Sequence, residues 1–132
     1  MITEFWVPGI PQSKGSTRAF DVKGRAHTTS ANDKTKPWQQ LVSLFASQFW
    51  KGAPPTDSAV QIWLTFHFIR PKSVSAKRRP HHTVKPDLDK LVRTIYDALT
   101  GIVYVDDSQV VFCKESKIYS DRTGVEIIIE TG

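Results

Sequence analysis

Val60-Gln61-Ile62-Trp63-Leu64-Thr65-Phe66-His67-Phe68 alternates large apolar residues with more polar ones along its whole length. Successive side chains of a strand point to opposite faces, so Val60, Ile62, Leu64, Phe66 and Phe68 share a face that only a core can satisfy. Gln61, Trp63, Thr65 and His67 take the less buried face. Downstream, Arg70 to Lys85 carries no periodic pattern, and a loop of that length is uncommon in a compact domain without a functional reason. Leu88 to Thr100 reads as a helix with Leu91, Val92, Ile95, Ala98 and Leu99 inward and Gly101 at its end. Two strands follow, Gln109 to Tyr119 and Val125 to Glu130, with a turn at Asp121 to Gly124. Upstream, a helix runs from near Asp33 to Trp50, with Pro37 in its first turn and Trp38, Leu41, Val42, Phe45 and Phe49 on its apolar face. Gly52 and Pro54-Pro55 end it. Ile2 to Val7 makes a first strand, stopped by Pro8-Gly9 and Pro11. Arg18 to Val22 and Arg25 to Thr29 form a short hairpin about Lys23-Gly24. This order predicts one α+β domain over residues 1–132, a mixed sheet carrying two main helices.

The 132 residues include 7 Phe, 4 Trp and 3 Tyr, enough for a real core. One cysteine, Cys113, excludes an intrachain disulfide framework and a multi-cysteine zinc site, and a reducing cytosol suits it. No apolar run approaches the roughly 20 residues of a membrane span, and no signal peptide opens the chain. The expected setting is the cytoplasm. A net charge of +5 points to a polyanionic partner.

The charges are sorted along the chain. From Ser58 to Pro86 there is no acid, while Arg70, Lys72, Lys77, Arg78, Arg79 and Lys85 accumulate. Asp87, Asp89, Asp97, Asp106 and Asp107 then come within a short span. Pro86 favours extended backbone before it. If the chain stays extended through Asp89, Asp87 and Asp89 point the same way above a helix N-terminus. Asp106-Asp107 then returns a third carboxylate to that spot. Convergent carboxylates repel unless a cation lies among them, and oxygen ligands select magnesium or manganese. Taken singly, each pair is also ordinary cap or turn chemistry. Both pairs around one short helix, after a basic loop, favour the metal. Asp97 has Arg93 at i−4 and reads as a helix-surface residue. His81 and His82 read as exposed loop histidines near phosphate, and Cys113 as a packing residue.

Lys85-Pro86-Asp87-Leu88-Asp89-Lys90-Leu91, Asp97-Ala98-Leu99-Thr100-Gly101 and Asp106-Asp107-Ser108-Gln109-Val110 resemble the RusA family of Holliday junction resolvases. Pro8-Gly9-Ile10-Pro11-Gln12-Ser13-Lys14-Gly15 and Gly24-Arg25-Ala26-His27 are similar to its phage and prophage branch. The resemblance implies a homodimeric α+β endonuclease of DNA recombination and repair. With magnesium or manganese it nicks two strands of a four-way junction symmetrically, leaving 5′-phosphate and 3′-hydroxyl ends. It makes Asp87, Asp89 and Asp107 the essential carboxylates and Asp106 their neighbour, all four as metal ligands. Arg93 stands where the family typically has a catalytic lysine, and Lys90 where many members have asparagine. Arginine keeps the charge that steadies a transition state but does not readily deprotonate. Lys14, Arg18, Arg25, Arg70, Lys72, Lys77, Arg78, Arg79, Lys85 and Lys90 are the cations expected to grip the DNA backbone. The partners implied are junction DNA and a second copy of the chain, with no membrane and no organic cofactor. An inert junction-binding module and a fork- or flap-specific nuclease of the same fold remain the alternatives.

Overall fold

A computed structural model describes residues 1–14, 17–22, 25–30 and 33–132, with side chains outside 15–32. The elements are β1 (Ile2–Pro8), β2 (Thr17–Val22), β3 (Arg25–Ser30), α1 (Thr35–Trp50), β4 (Val60–Phe68), α2 (Leu88–Leu99), β5 (Val110–Tyr119) and β6 (Gly124–Thr131). The alternating segment is the pivot of the sheet, whose order is β1-β6-β4-β5. β4 pairs antiparallel with β6 and parallel with β5. β2 and β3 pair as a separate two-stranded ribbon. This is the expected single α+β domain with a mixed sheet and two helices.

Val60, Ile62, Leu64, Phe66 and Phe68 are buried, as their period requires, alongside Val125, Ile127 and Ile129 of β6 and Phe5 and Val7 of β1. Leu91, Ile95 and Leu99 of α2 seal the same face. α1 packs most of its expected face, with Trp38 and Val42 buried and Leu41 and Phe45 against the core, and departs at its C-terminal end. Trp38, Val42, Ala46 and Trp50 form its buried stripe, while Phe49 is 45% exposed and stacks on Phe5 with ring centroids 5.2 Å apart. Ala46 lets the helix approach closely, a role that counting large apolar residues overlooks. His67 also departs from expectation. It lies on the open face of β4 yet is buried, packed edge-on against Trp6, with Nδ1 at 3.0 Å from Ser120 Oγ.

β6 starts at Gly124, whose φ of +155° is rarely adopted by other residues. A Cβ there would lie 2.4 Å from the Val7 carbonyl oxygen and 2.4 Å from the Trp6 ring. Gly124→Ala is expected to destabilise the domain by about 2–3 kcal/mol through combined clash and backbone strain. The urea midpoint measures it, with an unchanged slope.

Candidate active site

Parallel pairing of β4 with β5 requires a long crossover, and α2 with its flanking loops supplies it. Asp87 precedes the helix with φ −70° and ψ 138°, and Leu91 N–H donates to its carbonyl at 3.1 Å. The backbone is therefore helical from Leu88, and the expectation of extended chain through Asp89 is corrected. Leu88 packs against the core, which fixes the start of the helix. Asp89 lies in the first turn.

An aspartate at this position ordinarily caps the helix. Asp87 makes no side-chain cap bond. Its carboxylate instead holds Lys85 Nζ at 2.7 Å and faces Lys90 Nζ at 3.8 Å. The hydrogen bond from Lys85 lowers its pKa, helped by the charges of Lys85, Lys90 and Lys117. Asp106 shows the opposite allocation. It accepts from Ser108 N–H at 3.0 Å, while Gln109 Oε1 accepts from Val105 and Asp106 N–H at 2.9 and 3.0 Å. Hydrogen bonding from the Ser108 side chain and then its backbone lowers the pKa of Asp106, and the capping box commits it to the turn. Gln109 Nε2 donates to the carbonyls of Thr56 and Ser58, both at 2.9 Å, tying the turn to the chain that enters β4.

Asp89, Arg93 and Tyr96 stand at i, i+4 and i+7, and so share one flank of α2. Tyr96 reaches Cys113 on β5, and the Asp107 charge is felt at both Tyr96 and Tyr104. Burial foremost, with these neighbours, pushes the Tyr96 phenol above its ordinary range. Burial likewise pushes the Cys113 thiol up to about 11, so it stays protonated at neutral pH and is no nucleophile. Among the described residues, Asp89 and Arg93 make no hydrogen bond or ion pair with a side chain. Asp97 does not pair with Arg93 as its spacing allows. Lys14 takes it at 2.7 Å, drawn in by a backbone bond from Lys14 N–H to the Lys90 carbonyl at 3.1 Å.

No three His, Cys, Asp or Glu side chains converge into a metal cage among the described residues. The Asp107 charge is felt at Tyr96, on the same flank of α2 as Asp89. The donors still suit one ion class. They are hard oxygens, and magnesium keeps several waters while binding one or two carboxylates and substrate phosphate oxygens.

The basic loop is folded back on the sheet. The Arg70 guanidinium lies 4.2 Å from the Tyr119 ring centre and donates to the carbonyls of Arg79 and Pro80. It serves as a loop staple. His82 corrects the expectation of an exposed histidine, being 7% exposed between Phe68 and Tyr119 at 4.7 and 4.6 Å. Burial lowers its pKa, so it is neutral at neutral pH. Lys72, Lys77, Arg78, Arg79 and His81 remain exposed. Ser73, Ser75, Arg78 and Arg79 line a hollow at the loop tip. Lys14, Lys85 and Lys90 are engaged with Asp97 and Asp87, and Arg18 and Arg25 lie outside the residues whose side chains are described. Sequence reasoning does not single out Lys117, Glu115 or Tyr96. The available signal is Cys113, Glu115, Lys117 and Tyr119 in phase on one strand, a charged run where an apolar face is usual.

The model of the family Endodeoxyribonuclease RusA matches residues 8–130. The chain belongs to the RusA endodeoxyribonuclease family. It is 35% identical to the uncharacterized protein YqaN of Bacillus subtilis (strain 168), over 96% of this chain and 94% of that one. It is 27% identical to the crossover junction endodeoxyribonuclease rusA of Lactococcus phage r1t, over 92% and 83% respectively. Membership of the RusA family makes DNA the polyanionic partner that the net charge of +5 suggests. No helix among the described residues is long and apolar enough to cross a membrane.

The Lys85 pairing predicts a titration. Asp87 has a depressed pKa, so its favourable charge interaction is complete above the ordinary aspartate range and is lost as pH falls through the depressed value. Lys85→Ala is expected to move the Asp87 carboxyl upward toward the ordinary value, as followed by carbon-detected NMR titration of labelled aspartates.

Proposed function

We propose that this chain is a divalent-metal-dependent endodeoxyribonuclease that resolves four-way DNA junctions by paired symmetric nicks. The observation that carries the reading is the allocation of Asp87 and Asp89. They lead α2 directly after an acid-free basic loop, and Asp87 makes no side-chain cap bond. An acid recruited for helix stability would cap, as Asp106 does in its own turn. The phage relative's name, a crossover junction endodeoxyribonuclease, supports the junction as substrate.

On this reading Asp87, Asp89 and Asp107 are the oxygen donors for magnesium or manganese, and Asp106 fixes the turn that presents Asp107. A bound divalent ion supplies Lewis-acid activation and neutralises charge at the scissile phosphate. Arg93, one turn beyond Asp89 and without a side-chain partner among the described residues, is set to steady the charge that develops on phosphorus. Water is the nucleophile, and cleavage of the bond between phosphorus and the 3′ oxygen gives 5′-phosphate and 3′-hydroxyl ends. Arg78, Arg79, Lys72 and Lys77 grip phosphates on the exposed loop. A two-fold dimer would present two such sites to symmetry-related strands. The edge strand β5 offers it apolar surface, with Val111 67% and Phe112 45% exposed.

The contacts of Lys85 and Lys90 with Asp87 favour a second reading, in which cations of the chain hold the metal's place and the protein binds junctions without cutting them. A synthetic four-way junction with magnesium decides between them. The nuclease reading expects paired symmetric nicks, reduced by at least about a hundredfold in Asp89→Asn with junction binding retained. Tight binding without cleavage by the parent would establish the inert module. Faster cutting of a fork or flap would make the protein a different structure-specific nuclease of this fold.

A further inference from the structure

On the helix-side face of β5, Lys117 points inward from the edge strand and is half-buried. Its ammonium donates to the Val84 carbonyl at 2.7 Å and to the Pro86 carbonyl at 2.8 Å. Those two carbonyls bracket Lys85, and the second belongs to the residue immediately before Asp87. Lys117 is distant from both in sequence, so this contact exists only once β5 has paired with β4. The charge of Lys117 also reaches Asp87.

The contact has a specific place in the loop. Arg70 staples Arg79 and Pro80, and His82 is wedged against Phe68 and Tyr119. Between His82 and the first turn of α2, Lys117 ties the backbone at Val84 and Pro86 to the sheet. Thr83 to Pro86 has no strand or helix pairing of its own. Without the ammonium, two carbonyls lose a charged donor, and the peptide planes leading into Asp87 lose their anchor.

We infer that Lys117 is a positioning residue. It holds the Val84–Pro86 backbone so that Asp87 leaves the loop at a fixed angle to Asp89, pre-organising the two carboxylates for a divalent cation. The inference rests on the reading of Asp87 and Asp89 as cation ligands and adds a group that acts on them through the backbone. With two of its three N–H donors given to carbonyls, Lys117 is poorly placed to be one of the phosphate-gripping cations.

The test compares Lys117→Met, which keeps the stem and loses the donors, with Lys117→Arg, which restores donors and charge. Mn2+ alone is titrated onto the metal-free full chain by calorimetry, and four-way junction affinity is measured without divalent ions across a salt series. The expected result is a loss of Mn2+ affinity of about tenfold or more in Lys117→Met, since groups that orient metal ligands typically matter at that level. Lys117→Arg should regain most of it, and the salt slope of junction binding should match the parent. Parent-like Mn2+ affinity in Lys117→Met would overturn the inference. So would a salt slope lowered by about one unit, the mark of a lost phosphate contact. If the methionine variant melts much earlier than the parent, Lys117→Gln, which keeps an amide donor, replaces it in the same comparison. A parent that binds Mn2+ but leaves the junction uncut defeats the nuclease reading and leaves this inference intact, whereas a parent that binds no Mn2+ defeats both.

Discussion

Two parallel strands cannot be joined by a tight turn, and the pairing of β4 with β5 therefore dictates where the rest of this chain must go. The chain leaving Phe68 must travel back along the sheet before β5 can begin. α2 makes that journey, with its apolar stripe on the core and its other flank over the edge strand. The loop that feeds it carries the cations, and its first turn carries the acids. Loss of the β4–β5 register would remove the Lys117 anchor, the Tyr96–Cys113 contact and the Gln109 bonds to Thr56 and Ser58 together. Site and fold are thus one constraint seen from two sides.

Electrostatics divides the acids by role. Asp106 commits its charge to Ser108, which fixes a turn. Asp97 is paired with Lys14 at the other end of the helix. Asp87 is 37% exposed and is met only by lysine ends, contacts that are individually weak in solvent and readily exchanged for another cation. Asp89 and Arg93 have no side-chain partner among the described residues. The least committed charges stand nearest the basic loop, where a polyanion would bring its own compensation.

Much of this is legible in the sequence. β4 and α2 emerge from period alone, because strict alternation and the i, i+3, i+4 spacing each admit one geometry. Asp87 and Asp89 stand out as candidates, since an acid pair after an acid-free basic stretch is an unusual arrangement. The C-terminal end of α1 is less legible. Ala46 packs because it is small, and Phe49 stays outside because Trp50 takes the buried position next to it. Arg70, His82 and Lys117 resist reading for another reason. Each acts through a partner distant in sequence, and nothing local distinguishes a lysine that binds two carbonyls from one that binds phosphate.

The central claim is that the acids at the head of α2 form a divalent-cation site rather than a helix cap. Anomalous scattering from Mn2+, in crystals of the protein bound to a four-way junction, addresses it most directly. The account predicts a manganese peak within coordination distance of the Asp87 and Asp89 carboxylates, with Lys85 displaced from Asp87 and a junction phosphate completing the shell. Manganese bound elsewhere, with Asp87 still paired to Lys85 and Lys90 against the DNA, would contradict it.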